Sequence, residues 1–165
     1  MKFLNACLAV CLIGLTVGCT VPEKTIYHNV TYDYDINVDF SRVNSYTWVK
    51  LPATLRINDF NQIRIRDAVN KNLAARGMKV DAEKPDVYLV MFGGNSTAVD
   101  MSVMMDYDVY TVGRLKLAMY DYKSNQEIWW AETRADLFHE LTPAQQDDII
   151  QTAVQDILQY YPPRP

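Results

Sequence analysis

The chain has 165 residues, enough for one ordinary domain with a continuous core. Apolar residues make up 49% and charged residues 22%, which excludes a largely disordered chain. A net charge of −4 without a basic stripe speaks against a nucleic-acid partner, since that recognition depends on neutralising phosphates.

Residues 1–5 carry one positive charge, Lys2, and residues 6–16 form an apolar run of eleven. A membrane-spanning helix needs about 20 apolar residues, so residues 1–18 read as a cleavable signal. The run ends in Thr16-Val17-Gly18-Cys19, which resembles the lipobox of bacterial lipoproteins, with Thr16 standing where Leu is commonest. The resemblance implies that Cys19 becomes the lipid-bearing first residue of a 147-residue mature chain, whose charge is −5 once Lys2 is lost. Cys7 and Cys11 fall in the discarded segment, leaving no thiol to form disulfides. The alternative is a plain secretory signal with an incidental cysteine. Thr20, where Asp would retain a Gram-negative lipoprotein at the inner membrane, implies sorting to the outer membrane, facing the periplasm. Several acyl chains on one residue anchor stably where a single chain is marginal. The first expected partner is thus the membrane itself, through Cys19.

Residues 20–31 show no sustained periodicity, contain Pro22, and read with Cys19 as a lipidated tether over 19–31. A single domain is expected over 32–163. Its first strand is predicted from Tyr32, Tyr34, Ile36, Val38 and Phe40, alternating with Asp33, Asp35, Asn37 and Asp39. Asp33, Asp35 and Asn37 also match the opening of a calcium-binding EF-hand loop. Val38 then stands where that loop needs Gly, and Asn44 where it needs Glu, so strand is the better reading. Residues 41–52 look like a turn and a short extended piece. Asn58 or Asp59 can cap a helix carrying Ile65, Ala68, Val69, Asn72 and Leu73, with Gly77 as its stop.

Residues 87–92 form an apolar strand without clean alternation, which suggests cover on both faces. Residues 93–100 read as a loop, and 101–106 as loop or strand. Leu115, Leu117 and Met119 define the next strand, and Trp129, Ala131, Thr133, Ala135 and Leu137 the one after. The turn composition of residues 121–126 joins them as a hairpin. Thr142, Pro143 and Gln145 spell a capping box before a helix whose apolar face runs from Ile149 to Tyr161; Pro162 and Pro163 end it. The fold class expected is α+β: a two-layer sandwich in the order β-α-β-β-β-α, with two helices on one face of a mainly antiparallel four-stranded sheet.

Several short motifs occur together: Tyr34-Asp35, Asp39-Phe40-Ser41, Tyr46-Thr47-Trp48, Leu73-Ala74-Ala75-Arg76-Gly77 and Pro85-Asp86-Val87. Tyr110, Gly113 and Leu115, then Ile128-Trp129, and Tyr161-Pro162-Pro163 follow in order. Across residues 32–163 this resembles the bacterial lipoproteins carrying domain of unknown function 4136. The resemblance implies an envelope lipoprotein with an α+β domain and supplies no catalytic residues.

Chemistry is sparse. His28 lies in the tether and His139 between the last strand and the last helix. A hydrolase built on His139 lacks any accompanying G-x-S-x-G. Gly93-Gly94 is not followed by the Lys-Ser/Thr of a phosphate loop, and Asp106 with Asp108 reads as solvated turn chemistry. No cofactor is expected and no catalytic residue is assigned. Met101, Met104 and Met105, with Met91 nearby, are soft enough for Cu(I) but also suit simple packing, so a ligand- or metal-binding loop over 91–105 is an alternative role. Trp130 should face away from Trp129. If the helices cover the Trp129 side, Trp130, Tyr120 and Tyr122 form a candidate interaction surface for an envelope protein or for self-association. The competing expectation is that residues 93–106 fold over that face. A non-catalytic binding or structural role in the cell envelope is the function these observations favour.

Overall fold

The computed structural model describes residues 25–52, 57–100 and 108–163. Residues 1–24, including Cys19, lie outside the described residues, as do Met101, Met104, Met105 and Asp106. Two helices pack side by side on one face of a mixed, open sheet, so the α+β class and the two-helix layer hold. Seven strands stand where four were expected. In chain order they are β1 (Thr25–Tyr27), β2 (Thr31–Tyr34), β3 (Ser45–Trp48), β4 (Lys79–Val80), β5 (Val87–Asp100), β6 (Asp108–Asp121) and β7 (Glu127–Leu137). The helices are α1 (Asp59–Ala75) and α2 (Pro143–Leu158).

The sheet order is β1-β7-β6-β5-β3-β4, and β2 also pairs with β7. β1 lies antiparallel to the end of β7, with Thr25 opposite Leu137, and β2 to its beginning, with Tyr34 opposite Trp129. Together they make one interrupted edge. β3 runs parallel to both β4 and β5. Parallel neighbours need a long crossover, and α1 supplies it. The three missed strands are two to four residues long, too short to show a period. Thr25–Tyr27 belongs to the sheet although it reads as tether.

The first strand also ends early. The Asp35 Oδ1 accepts from the Asn37 backbone and side-chain amides at 2.9 and 3.0 Å, closing a turn. Asp39 likewise accepts from Ser41 and caps a short 3₁₀ turn over Phe40–Arg42. The acids that alternate so cleanly are turn-makers, because a short carboxylate competes for nearby N–H groups. Ile36, expected on the apolar face, is 84% exposed.

Residues 93–100 form the second half of β5 instead of a loop. Their register with β6 is unbroken, from Val87 opposite Asp121 to Asp100 opposite Asp108. Gly, Asn and Ser have low strand propensity, yet a paired neighbour overrides it. Gly93 is required at its place. A Cβ there would sit 2.8 Å from the Arg114 carbonyl oxygen and 2.8 Å from Ile57 Cδ1, so the segment entering α1 packs directly on the strand.

The core lies between sheet and helices. Leu89, Leu117, Met119 and Trp129 meet Val69, Leu73, Val154 and Ile157, all fully buried. Arg64 pairs with Asp147 at 3.2 Å near the starts of both helices. Near their ends, Arg76 donates to the Leu158 carbonyl at 3.0 Å. The helices therefore run parallel, with both N-termini at one end of the molecule. Each has the predicted cap: Asn58 accepts from the Asn61 amide, and Thr142 with Gln145 closes a capping box. Gly77 takes a φ of +84°, the left-handed stop that the sequence suggests. No helix among the described residues is long and apolar enough to cross a membrane.

Candidate functional site

Three places bear on function. The first is the sheet face opposite the helices. The strand pairing sets Tyr88 opposite Tyr120, and Val90, Ala118 and Trp130 in one row. Trp130 and Tyr120 are half-buried, and Tyr122 is exposed, its ring 5.1 Å from that of Tyr88. All three expected residues share the open face, and Tyr88 and Phe92 join them. Residues 87–92 read as covered on both faces; the helices cover Val87, Leu89 and Met91, and on the other face Val90 is also buried while Tyr88 and Phe92 are half-buried. Nor do residues 93–100 fold over the patch, since they extend the sheet instead.

This face is not simply apolar. The Lys116 ammonium sits 4.5 Å from the Trp130 ring centre and 3.5 Å from Glu127 Oε2, and the Tyr120 hydroxyl donates to the same oxygen at 2.8 Å. Burial, reinforced by Glu127, pushes the Tyr120 hydroxyl up to about 12. A cation over an indole and a shared carboxylate tie the aromatic side chains into a polar network.

The second place is a cavity of about 390 Å³ between the helix-facing side of the sheet and the N-terminal ends of α1 and α2. Ile57, Ile65, Leu115, Leu137, Ile149 and Ile150 give it apolar walls. Asn58, Asn61, Asn95, Thr133 and Gln146 stand among them as polar residues, with Arg114 and Arg134 as cationic ones. An apolar hollow with few convergent polar groups, in the size range of about 300–1,000 Å³, is the usual form of a small-molecule site. Sequence patterning could not reveal it, because the same side chains would read identically in a filled core. The one available signal is Gly94 and Gly113 together with Ala135 and Ala153, four small residues on its wall.

The third is the groove around His139. Thr97, Tyr110, Thr111, Phe138 and Glu140 line it with that histidine, and among the described residues its lining includes no serine or cysteine. The Tyr110 and Phe138 rings stack at 4.7 Å. His28 is no tether residue: its backbone amide donates to the Arg134 carbonyl, and its Nε2 lies 2.9 Å from Asp136 Oδ2. Met91 is buried in the core, and the rest of the methionine cluster lies outside the described residues. Among the described residues, no group of three acidic, histidine or cysteine side chains is placed to hold a metal.

Several motif residues turn out to be structural. The Asp86 Oδ2 accepts from the Asn44 amide, the Ser45 amide and the Ser45 hydroxyl, all at 2.9 Å, and so staples the start of β3 to the start of β5. The Asn70 Oδ1 accepts from Tyr46 Oη at 2.8 Å and Trp48 Nε1 at 2.9 Å, fixing β3 to α1. Tyr161 is buried edge-on against Trp129 and Phe40, while Trp129 Nε1 donates to the Tyr160 carbonyl.

The fold defines a two-layer α+β domain, two helices on one face of an open seven-stranded mixed sheet. The chain belongs to the family described as domain of unknown function DUF4136, whose pattern matches residues 30–163. No curated protein matches it. Among solved structures it is similar to a PDZ-domain protein of Parabacteroides distasonis ATCC 8503, with a TM-score of 0.60 at 14% identity. That likeness covers 87% of this chain and 37% of the other, so the chain spans little more than a third of that protein's length. It is also similar to the PelC dodecamer of Paraburkholderia phytofirmans, with a TM-score of 0.51 at 9% identity over 81% of this chain and 95% of that one. A minor lipoprotein of Acinetobacter baumannii aligns with a TM-score of 0.38 at 12% identity, over 72% of this chain and 91% of the other.

Proposed function

We propose that the chain is a lipid-anchored envelope lipoprotein, held in the outer membrane through an acylated Cys19 and facing the periplasm, whose domain acts by binding rather than catalysis. The ligand is an apolar chain or ring that enters the cavity beneath the N-terminal ends of α1 and α2. The observation that carries this reading is the hollow of about 390 Å³, with apolar walls and the polar and cationic residues, Arg114 and Arg134 among them, that share its lining. Desolvating an apolar chain there is worth about 0.8 kcal/mol per buried methylene, enough for a useful affinity with a modest ligand. Calorimetric titration of the Cys19→Ala protein with dodecanoate tests the binding. Saturable one-to-one heat with an affinity that falls in Ala153→Leu supports it, and an absence of saturable heat counts against it. Intact mass spectrometry of membrane-extracted protein tests the anchor separately.

Self-association is the second reading. From Asn95 to the end of β5 the outer edge of that strand has no partner strand among the described residues, and β1 with β2 forms the opposite edge. Exposed edges invite pairing with another chain. The PelC structure it resembles is a dodecamer. Head-to-tail joining of two unlike edges produces rings when the rotation closes. Mass in solution at increasing concentration decides it, and a strict monomer removes this reading.

A further inference from the structure

We infer that the end of the domain carrying Tyr27, the start of α1 and the outer half of the β5–β6 hairpin lies against the bilayer that holds Cys19. This rests on the lipid anchor proposed above. Because Thr25 already sits in β1, only residues 20–24 separate the sheet from Cys19, instead of the twelve that the sequence suggests. Six extended steps from Cys19 to Thr25 reach at most about 20 Å. The chain enters the sheet opposite Leu137, and the strand register continues that row through Thr111 to Thr97. The opposite end of β5, at Val87, is ten residues away, or about 33 Å at the usual strand rise. A tether that short holds Thr25, and with it the near end of the sheet, within about 20 Å of the lipid, while nothing holds the Val87 end there.

The surface at the near end is suited to that place. Ten large apolar side chains stand exposed among the described residues, and six of them, Ile26, Tyr27, Phe60, Ile63, Val99 and Val109, lie at this end. Phe60 is 77% exposed and Val109 58%. They come from β1, the first turns of α1, and both strands of the hairpin. Chain order therefore does not explain the clustering. Apolar side chains beside a polar rim partition into the headgroup boundary, and the covalent lipid supplies the local concentration that makes weak insertion effective. The cavity wall shares Tyr27 and Ile57 with this end, so an apolar ligand would pass between membrane and cavity without crossing open water.

Site-directed spin labelling of the full lipidated chain tests the orientation. If Cys19 is acylated, an introduced cysteine is the one free thiol of the mature protein. Phe60→Cys, Val109→Cys and, as the far-end control, Val80→Cys all replace exposed side chains, so folding is preserved; circular dichroism checks it. The labelled proteins are reconstituted in vesicles of phosphatidylethanolamine and phosphatidylglycerol. The expected result is that labels at 60 and 109 relax with lipid-soluble oxygen and are shielded from a water-soluble nickel chelate, with the reverse at 80. Equal access to the nickel chelate at all three sites, with an acylated Cys19 seen by mass, overturns the orientation and leaves the anchor standing. Shielding of 60 and 109 from both reagents points to a protein neighbour and overturns it too. An unmodified Cys19 removes the anchor, and the orientation with it.

Discussion

Replacing Ala153 by Leu puts the cavity to a direct physical test. Ala153 lies on α2, packs against the core from a partly buried position and lines the hollow. The substitution adds three carbon groups, each worth about 0.8 kcal/mol when buried, for a ceiling of about 2.4 kcal/mol. Ordering the Leu side chain costs about 0.5–1 kcal/mol, and the change in helix propensity is only about 0.2 kcal/mol. At roughly a water's share of 30 Å³ each, the added carbons fill about a quarter of the space and force no neighbour aside. The net expectation is a gain of about 1–1.5 kcal/mol, which for a domain of this size raises Tm by about 3–5 °C. Urea unfolding of the Cys19→Ala protein, followed by tryptophan fluorescence, measures it; the midpoint should rise with an unchanged slope. Dodecanoate affinity should fall in the same variant. A loss of about 1–3 kcal/mol would be the signature of overpacking, and would mean that the hollow does not exist in solution.

Asp86→Ala should cost about 2–3 kcal/mol, because three donors at 2.9 Å lose a charged acceptor and β3 loses its register against β5; chemical denaturation reads it. Thr142→Ala should cost about 1 kcal/mol through the lost capping box, with Thr142→Ser restoring most of it in the same assay. Gly93→Ala should destabilise by about 1–3 kcal/mol, and pairing it with Ile57→Ala should recover only the part due to the side-chain clash, since the Arg114 carbonyl is backbone. In alkali, Tyr120 should ionise at about 12 in the folded protein against about 10 unfolded, so its contribution is intact below pH 10 and lost as pH rises through 12. Absorbance titration of tyrosinate in wild type and Glu127→Gln checks this, and the variant should titrate lower. Asp39, Asp81 and Asp121 have carboxyls held below their ordinary range by hydrogen bonds from Ser41, from the Lys84 and Glu83 amides, and from Ser124. Their contribution is present above about pH 4 and lost as pH falls through the depressed folded values, which acid unfolding of Asp121→Asn should show as a weaker acid dependence.

Legibility in the sequence followed the length of each element. The two helices carry full turns of apolar repeat and explicit caps, and both were readable from Asn58 and Thr142 outward. β7 was readable because Trp129, Ala131, Thr133, Ala135 and Leu137 keep one face in period two. β1, β3 and β4 hold too few residues for any period, and only pairing makes them strands: β1 with β7, β3 with β5, and β4 with β3. Residues 32–40 show the opposite failure: a clean alternation arose from acids that close turns at Asp35 and Asp39. The outer half of β5 looked like loop because Gly, Asn and Ser say nothing of the fourteen-residue pairing with β6. Among candidate sites, the facing of Tyr120 and Trp130 followed from strand parity once the helices cover the Trp129 side, while Tyr122 lies in the turn past β6 and meets that face through its ring contact with Tyr88. The cavity did not, since an empty space leaves no mark on the residues that would otherwise fill it.

The interrupted edge formed by β1 and β2 also has a mechanical consequence. If the chain is tethered at Cys19 while its far end is held elsewhere in the envelope, tension enters the domain at Thr25 and runs along β1. Hydrogen bonds to an antiparallel neighbour lie perpendicular to the strand axis, so the load shears those bonds together instead of peeling them one by one. The Thr133 hydroxyl bond to the His28 carbonyl and the His28–Asp136 pair stand just behind β1, and β2 takes up the remaining load against the first half of β7. A segment that resembles loose string in the sequence is thus paired into the sheet from Thr25 onward, and a pull applied there would be met by shear.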